Sequence, residues 1–178
     1  ELPFSPNEGQ EELLDQLTDF LVDSDAHKAF VLKGYAGTGK TSVVSALVRA
    51  LERLRQPCVM LAPTGRAAKV IAAYSGRSAY TIHKKIYRQK KLGEERFLLN
   101  DNLHQRTLFI IDEASMINNQ QQFDSPFGSG NLLSDLIQYV YNGRGCSLLL
   151  IGDTAQLPPV GQIESAALRE EVLSGYGL

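Results

Sequence analysis

The sequence lacks tryptophan entirely and contains only two cysteines. Cys58 and Cys146 lie far apart and both border apolar runs, which suggests two separate buried thiols in a reducing compartment rather than a metal-ligand cluster. No apolar run approaches the roughly 20 residues that a transmembrane helix requires, and the first residues do not show the basic and apolar segments of a signal peptide. These absences predict a soluble, cytoplasmic protein with no membrane partner.

The sequence also has little net charge, since 18 lysines and arginines nearly balance 20 aspartates and glutamates. The basic residues are unevenly distributed, because nine of them and only two acidic residues fall between Arg66 and Arg96. Such a run is most often the solvated face of a helix, but it is also typical of a nucleic-acid contact. Charge alone therefore leaves a polyanionic partner open.

Short apolar runs alternate with segments of helical periodicity along the chain. Four runs have the length and composition of buried strands, and four segments place apolar residues at helical spacing. The predicted strands are residues 29–32, 58–62, 108–111 and 147–151, and the predicted helices are residues 13–22, 41–54, 66–74 and 131–141. Strands separated by helices imply right-handed crossovers, so the predicted fold class is α/β, with a mainly parallel sheet covered by helices on both faces.

Two segments do not fit this alternation. Residues 85–100 contain the turn-like sequence LGEE between two runs that could pair as a hairpin, although a helix is also compatible with the pattern. Residues 118–130 are polar and contain glycine and serine, which predicts a mobile surface loop. The length of 178 residues is enough for one domain with a small insert.

The first predicted strand leads into GYAGTGKT, residues 34–41, which matches the pattern G-x-x-x-x-G-K-[ST] at every fixed position. Glycines allow successive amide groups to face a phosphate, and the helix that begins here adds the positive end of its dipole. Lys40 is expected to contact the β- and γ-phosphates, and the Thr41 hydroxyl to ligate Mg²⁺. The motif predicts a nucleoside-triphosphate site built from Gly37, Thr38, Gly39, Lys40 and Thr41.

Two acidic residues follow the third predicted strand directly, in the segment LFIIDEAS. In isolation, Asp112 and Glu113 could simply end a strand. Beside a phosphate loop, however, Asp112 fits the metal role, through a metal-bound water, and Glu113 fits the catalytic base that orients an attacking water. The pair predicts hydrolysis of the bound nucleotide.

A third motif, GDTAQLPPVG, follows the fourth predicted strand. An isolated Asp-x-x-Gln segment is readily explained by an aspartate that caps a turn. Next to a γ-phosphate, the Gln156 amide is a candidate catalytic sensor, because its hydrogen bonds would differ before and after hydrolysis. Pro158 and Pro159 would stiffen the chain after Gln156 and would carry that difference onward as a movement.

Taken in order, these motifs resemble motifs I, Ia, Ib, II and III of the superfamily 1 DNA helicases. The segments concerned are GYAGTGKT (34–41), APTGRAAKV (62–70), TIH (81–83), IIDEAS (110–115) and GDTAQLPPVG (152–161). Their details are similar to the RecD/Dda-like branch, which moves 5′ to 3′ on single-stranded DNA. SPNEGQ (5–10) resembles the adenine-reading Q motif of that branch and implies that Gln10 contacts the base.

The resemblance implies a RecA-like P-loop ATPase domain, called domain 1A, formed by residues 1–84 and 101–178. Residues 85–100 would be the small 1B insert, whose hairpin helps to split the duplex; its Tyr87 and Phe97 could stack on DNA or pack within the hairpin. The implied ligands are ATP, Mg²⁺ and single-stranded DNA. The implied DNA contacts are Thr64, Gly65, Arg66, Thr81 and His83, although a histidine such as His83 is more commonly structural.

The sequence departs from the family where it stops after motif III. Motifs IV, V and VI of the second motor domain are expected to be missing, and the first residue, Glu1, is not methionine, so the sequence is expected to be a piece of a longer enzyme. The missing motifs carry the arginines that stabilise the transferred phosphoryl group. An arginine finger accelerates hydrolysis by about 10³–10⁵ in related enzymes, so this chain alone is expected to bind ATP–Mg²⁺ and to hydrolyse it poorly. The second motor domain, and other recombination or repair subunits, are the partners that the resemblance implies.

Two other functions stay open from the sequence. One is a P-loop ATPase or kinase that acts on a substrate other than nucleic acid, and the other is a nucleotide-gated binding module without turnover of its own. The ordered presence of motifs Ia, Ib and III favours the DNA helicase.

Overall fold

The structure is a computed structural model, and it describes residues 7–23, 27–35, 37–89, 95–153, 155 and 165–178. The helices are α1 (Glu8–Val22), α2 (Lys40–Arg53), α3 (Gly65–Ser75), α4 (Ile82–Ile86), α5 (Leu132–Asn142) and α6 (Glu170–Ser174). The strands are β1 (Ala29–Lys33), β2 (Cys58–Ala62), β3 (Ala79–Thr81), β4 (Tyr87–Gln89), β5 (Phe97–Leu99), β6 (Leu108–Ile111) and β7 (Ser147–Gly152). Two 3₁₀ turns lie at Ala114–Met116 and Ala166–Leu168.

Five of the strands form one parallel sheet in the order β1-β7-β6-β2-β3. This arrangement confirms the predicted α/β fold with a mainly parallel sheet. The four predicted strands and the four predicted helices are all present. The observed strand ends differ from the predicted ones by at most one residue, whereas α1 begins five residues earlier than predicted. The sequence did not predict β3, because its three residues, AYT, do not form an apolar run.

Hydrophobic cores lie on both faces of the sheet. Along β6, Leu108 and Ile110 face a core formed with α1, α2 and α3, whereas Phe109 and Ile111 face a core formed with α4, α5 and α6. These four side chains are at most 1% exposed, because successive residues of a strand point to opposite sides and both sides are covered. Coverage of both faces also explains why the strands are continuous apolar runs rather than alternating patterns.

The strands β4 and β5 pair in antiparallel fashion, so within residues 85–100 the structure selects the hairpin pairing over the helix for residues 87–89 and 97–99. The pairing begins with Tyr87 opposite Leu99, since residues 82–86 form α4. The LG and first glutamate of the LGEE turn lie outside the described residues.

Residues 118–130 contain no helix or strand, but they are more closely tied to the fold than their polar composition predicted. Backbone hydrogen bonds join the Phe97 amide to the Pro126 carbonyl (2.8 Å) and the Gly128 amide to the Phe97 carbonyl (2.9 Å). The segment therefore lies along β5 and extends the hairpin on one side. Phe127, an apolar residue in a polar stretch, makes this attachment possible.

In the part of the chain that the structure describes, none of the helices combines the length and apolar character needed to cross a membrane.

Candidate nucleotide-binding site

A cavity of about 360 Å³ opens at the carboxyl ends of β1, β6 and β7. Parallel α/β sheets bind their ligands at this edge, because the loops that follow the strands converge there. Six of the residues that the sequence predicted line this cavity together: Gly37, Gly39, Lys40, Thr41, Asp112 and Glu113. The cavity also contains Tyr74 and Asp153, which the sequence did not identify as site residues.

The glycines of the phosphate loop have the backbone conformation that their role requires. Gly37 and Gly39 have φ angles of 79° and 86°, in the left-handed region that other residues rarely adopt. Gly39 precedes the first residue of α2, and in the described part of the chain no side chain caps the start of this helix. The first amides of α2 are therefore directed at the cavity with their hydrogen-bonding capacity available to an anion.

Lys40 bends back over the phosphate loop. Its Nζ donates hydrogen bonds to the carbonyl oxygens of Gly34 and Tyr35, the second at 2.7 Å. The Thr38 hydroxyl donates to the same Tyr35 carbonyl at 2.8 Å. The Lys40 ammonium thus lies within the loop, where phosphate oxygens would be stronger, charged acceptors than the two carbonyls.

Gln10 lies against the phosphate loop, although it belongs to α1. A Cβ atom at Gly39 would be only 2.9 Å from Gln10 Nε2. The Gln10 side chain is also held in place, because its Oε1 accepts from the Asn7 amide (3.2 Å) while Asn7 Oδ1 accepts from the Gln10 amide (2.9 Å). This reciprocal capping box fixes the amide next to the loop; its contact with adenine stays a prediction.

Asp112 and Glu113 differ in how they are held. Asp112 Oδ1 accepts from the Glu113 amide (2.9 Å), and Asp112 Oδ2 accepts from the Tyr74 hydroxyl (2.7 Å). Burial, reinforced by the negative charge of Asp112, raises the pKa of Tyr74 above its ordinary value, so that this hydroxyl remains a donor. Glu113 has φ of 54° and immediately precedes the 3₁₀ turn at Ala114–Met116, and such strained conformations are often found at functional sites.

The oxygen atoms in this cavity suit a hard cation. Thr41, Asp112 and Glu113, which carry a hydroxyl and two carboxylates, line the same space, and Mg²⁺ is usually held by one or two carboxylates, waters and substrate phosphates. Among the described residues, no group of three or more His, Cys, Asp and Glu side chains could hold a metal ion alone. The donor set therefore fits a magnesium ion that is bound jointly with nucleotide phosphates.

The third motif is only partly described. Asp153, which is 6% exposed, accepts a hydrogen bond from the Ala155 amide through Oδ1 (2.8 Å), as a turn-capping aspartate would. It nevertheless lines the cavity, and its position directly after β7, like that of Asp112 after β6, was the available sequence signal. Gln156 lies outside the described residues, so its sensor role stays a prediction.

The predicted DNA contacts other than His83 lie near the ends of β2 and β3. Ala62 pairs with Thr81 across these two strands, so Thr64, two residues later, leaves the sheet at the same edge. Each threonine caps a helix: Thr64 Oγ1 accepts from the Ala67 amide and Thr81 Oγ1 accepts from the Lys84 amide, both at 3.2 Å.

These hydroxyl oxygens act as acceptors within the fold, which leaves their protons available as donors to a phosphate. Gly65 and Arg66, in the first turn of α3, are exposed beside Thr64.

His83 is placed differently from the threonines. Its ring packs against those of Phe127 and Tyr87, with centroid distances of 4.9 and 5.6 Å, and burial lowers the pKa of this imidazole below its ordinary value. Tyr87 is buried and donates to Asp135 Oδ2 at 2.6 Å. The ring of Phe97 stacks on Phe127 at 4.8 Å. For His83, Tyr87 and Phe97, the sequence left open whether the ring packs within the protein or contacts DNA. The observed contacts are packing contacts within the protein. A DNA role for His83 stays a prediction.

Residues 5–172 match the family described as AAA domain. The chain is 34% identical over 155 residues to the ATP-dependent RecD2 DNA helicase of Deinococcus radiodurans, a match that covers 86% of this chain and 18% of that protein. It is 28% identical over 165 residues to the ATP-dependent DNA helicase dda of Enterobacteria phage T4, which covers 90% of this chain and 34% of that protein.

The crystal structure of the Pif1 helicase from Candida albicans has a similar fold, with a TM-score of 0.56 and 21% identity over 94% of this chain and 38% of that one. The chain thus spans well under half the length of each of these relatives.

Proposed function

The chain belongs to the AAA domain family, among the RecD-, Dda- and Pif1-like superfamily 1 helicases, and we propose that it is the ATP-binding motor domain of an enzyme that translocates on single-stranded DNA. The observation that carries this proposal is the convergence of Lys40, Thr41, Asp112 and Glu113 on one cavity. The ends of β2 and β3, with Thr64 and Thr81, lie at the same edge of the sheet.

Each predicted site residue has a distinct task. The amides that follow Gly39 and the Lys40 ammonium bind the β- and γ-phosphates, and the Gln10 amide contacts the adenine base. Thr41 and Asp112 hold Mg²⁺, which neutralises charge on the phosphates when it is bound. Glu113 accepts a hydrogen bond from water and orients it toward the γ-phosphorus. Gln156 follows the change at the γ-phosphate and transmits it to the segment beyond.

The DNA face contacts the sugar–phosphate backbone through Thr64, Gly65, Arg66 and Thr81. Such contacts position a strand without reading its sequence, which suits a motor that must move along any DNA. The 5′ to 3′ direction is proposed from the likeness to the RecD and Dda branch. A second motor domain and its arginines would complete the catalytic site in the whole enzyme.

The nucleotide part of this proposal is tested by two substitutions of site residues. Lys40→Ala should weaken binding of ATP–Mg²⁺ by about tenfold or more, because a charged phosphate contact is lost. Glu113→Gln should leave binding intact, because the base acts after binding. Isothermal titration of this chain measures both affinities. Lys69→Ala, an exposed lysine on α3, is the matched control and should bind normally. Equal losses for Lys40→Ala and Glu113→Gln would show that the roles are assigned wrongly.

The nucleic-acid part is tested by the salt dependence of binding to a fluorescent single-stranded oligonucleotide. Arg66→Ala should reduce the slope of log affinity against log salt concentration by about 0.7, the value for one phosphate contact on a single strand. Arg55→Ala removes an exposed arginine at the opposite edge of the sheet and should leave the slope unchanged. A slope near zero for the unmodified chain would instead favour an ATPase or kinase with another substrate.

A further inference from the structure

Tyr74 connects a helix that carries no part of the phosphate loop to the metal side of the nucleotide site. Its hydroxyl donates to Asp112 Oδ2 at 2.7 Å, while the backbone amide of Glu113 donates to Asp112 Oδ1 at 2.9 Å. Among the described residues, each carboxylate oxygen therefore has a donor. The donor to Oδ1 is the next residue in the chain, but the donor to Oδ2 comes from α3, 38 positions away.

Tyr74 is itself held firmly enough to direct a carboxylate. Its ring is half-buried, packs against the core formed with α1, α2 and α3, and lines the cavity. Its backbone carbonyl accepts a hydrogen bond from the hydroxyl of Ser45, a buried residue of α2, at 3.0 Å. Tyr74 is thus anchored to the helix that follows the phosphate loop and, through its hydroxyl, to the acid that follows β6.

Resting on the nucleotide site proposed above, we propose that Tyr74 is a positioning residue that holds the Asp112 carboxylate in the orientation that receives nucleotide-bound Mg²⁺. A carboxylate on a short side chain can rotate, and a metal site loses affinity when its ligands are free to do so. Hydrogen-bond partners behind the ligands prevent this rotation, and their removal typically weakens metal binding by about 10–100-fold. The Tyr74 hydroxyl is the side-chain partner of this kind for Asp112 among the described contacts.

The test compares Tyr74→Phe with the unmodified chain in nucleotide binding, measured by titration calorimetry at a series of free Mg²⁺ concentrations and in EDTA. Tyr74→Phe should raise the Mg²⁺ concentration for half-maximal binding by about tenfold. The affinity of this variant for nucleotide in EDTA should stay within about twofold of that of the unmodified chain, because the phosphate loop is unchanged. The matched control is Tyr141→Phe, which removes a hydroxyl that donates to the Lys28 carbonyl at 2.6 Å, just before β1; its Mg²⁺ midpoint should not move.

A double-mutant cycle tests whether Tyr74 acts through Asp112. In an Asp112→Asn background, Tyr74→Phe should have no further effect on the Mg²⁺ midpoint, since the two changes remove the same arrangement. Three results would each overturn the inference: an unchanged midpoint in Tyr74→Phe, an equal shift in Tyr141→Phe, or a full additional shift when Tyr74→Phe is combined with Asp112→Asn.

The outcomes separate this inference from the function on which it rests. If the unmodified chain binds nucleotide in a Mg²⁺-dependent way but Tyr74→Phe behaves identically, only the role of Tyr74 fails. If the unmodified chain shows no Mg²⁺-dependent binding, the proposed nucleotide site fails and the role of Tyr74 fails with it.

Discussion

At the scale of single residues, close packing at Gly152 restricts which residue can occupy this position of the third motif. Gly152 ends β7 within the third motif and lines the cavity. A Cβ atom there would lie 2.6 Å from Leu168 Cδ1 and 3.1 Å from the Ser115 amide nitrogen. Both neighbours are buried, so a shift of either one must be accommodated by the surrounding core. The glycine is needed because the motif after β6 and the 3₁₀ turn at Ala166–Leu168 approach the strand closely.

Gly152→Ala is therefore expected to reduce the free energy of unfolding by about 1–3 kcal/mol, the usual cost of overpacking a core. Urea denaturation followed by circular dichroism measures this change. Gly65→Ala is the matched control, because a Cβ atom at Gly65 would have no neighbour within 4 Å and the residue lies in a helix. A stable Gly152→Ala variant would mean that Leu168 and its turn can move away.

At the scale of elements, the small hairpin is attached to the main sheet domain by an aromatic cluster, defined as the rings of His83, Tyr87, Phe97 and Phe127. The ring of Phe127 contacts all three others, at centroid distances of 4.9, 5.3 and 4.8 Å. Beneath the cluster, the buried Asp135 carboxylate accepts from the Tyr87 hydroxyl (2.6 Å) and the Ser129 amide (3.0 Å). The segment that contains Phe127 follows the motif after β6 in sequence, so it joins the nucleotide edge to the hairpin.

Phe127→Ala is expected to lower the free energy of unfolding by about 1–3 kcal/mol, less than for a fully buried phenylalanine because this ring is half-buried. Hydrogen exchange should show the loss concentrated in β4 and β5. Phe123→Ala, in the same segment, is the matched control, since Phe123 is 92% exposed and its removal should be close to neutral. Equal effects of the two substitutions would show that the cluster does not hold the hairpin.

The same cluster predicts a pH dependence. Burial lowers the pKa of His83 below its ordinary value of about 6.5, so between the folded and ordinary pKa values the unfolded chain binds a proton that the folded chain does not. The stability contributed by neutral His83 is present above about pH 6.5 and is lost as the pH falls toward the folded pKa. Urea denaturation at about pH 7.5 and about pH 5.5 measures this loss, and His83→Gln should make it smaller. An unchanged loss in His83→Gln would assign the effect to other groups.

At the scale of the whole molecule, α3 links the two candidate surfaces. Its first turn follows Thr64 at the proposed DNA face, and Tyr74, near its last turn, contacts Asp112 in the candidate nucleotide cavity. A helix that is held at both ends can transmit a displacement from one binding site to the other. The change in affinity that each ligand then causes for the other must be equal in both directions.

ATP–Mg²⁺ is therefore expected to change the affinity of this chain for single-stranded DNA by about fivefold or more, and DNA to change the affinity for nucleotide by the same factor. Fluorescence titrations with each ligand, in the presence and absence of the other, measure this factor. Removal of Mg²⁺ with EDTA and the Tyr74→Phe substitution should each bring it close to one. Coupling that survives both changes would show that it passes through another element.

Much of the cavity lining could be predicted from the sequence because its residues are adjacent in short motifs. Lys40 and Thr41 lie next to each other, as do Asp112 and Glu113, and each pair belongs to a motif that follows an apolar run typical of a buried strand. A parallel sheet then brings the ends of its strands together whatever the details of packing. Sequence reasoning missed Tyr74, because a tyrosine on an amphipathic helix is expected in the core and its partner is distant in the chain.

The sequence by itself determined the four longer strands, the four longer helices that alternate with them, the parallel sheet and the phosphate loop, because all of these follow from local patterns of apolar residues and glycine. Only the tertiary structure decided which face of the sheet each side chain joins, that Phe127 attaches the hairpin, and that Tyr74 reaches Asp112. These features depend on contacts between residues far apart in the chain, and no local periodicity encodes such contacts. The same reason explains why the motif around His83 did not predict its aromatic cluster: Tyr87 is only four residues away, but Phe127 comes from a distant segment of the chain.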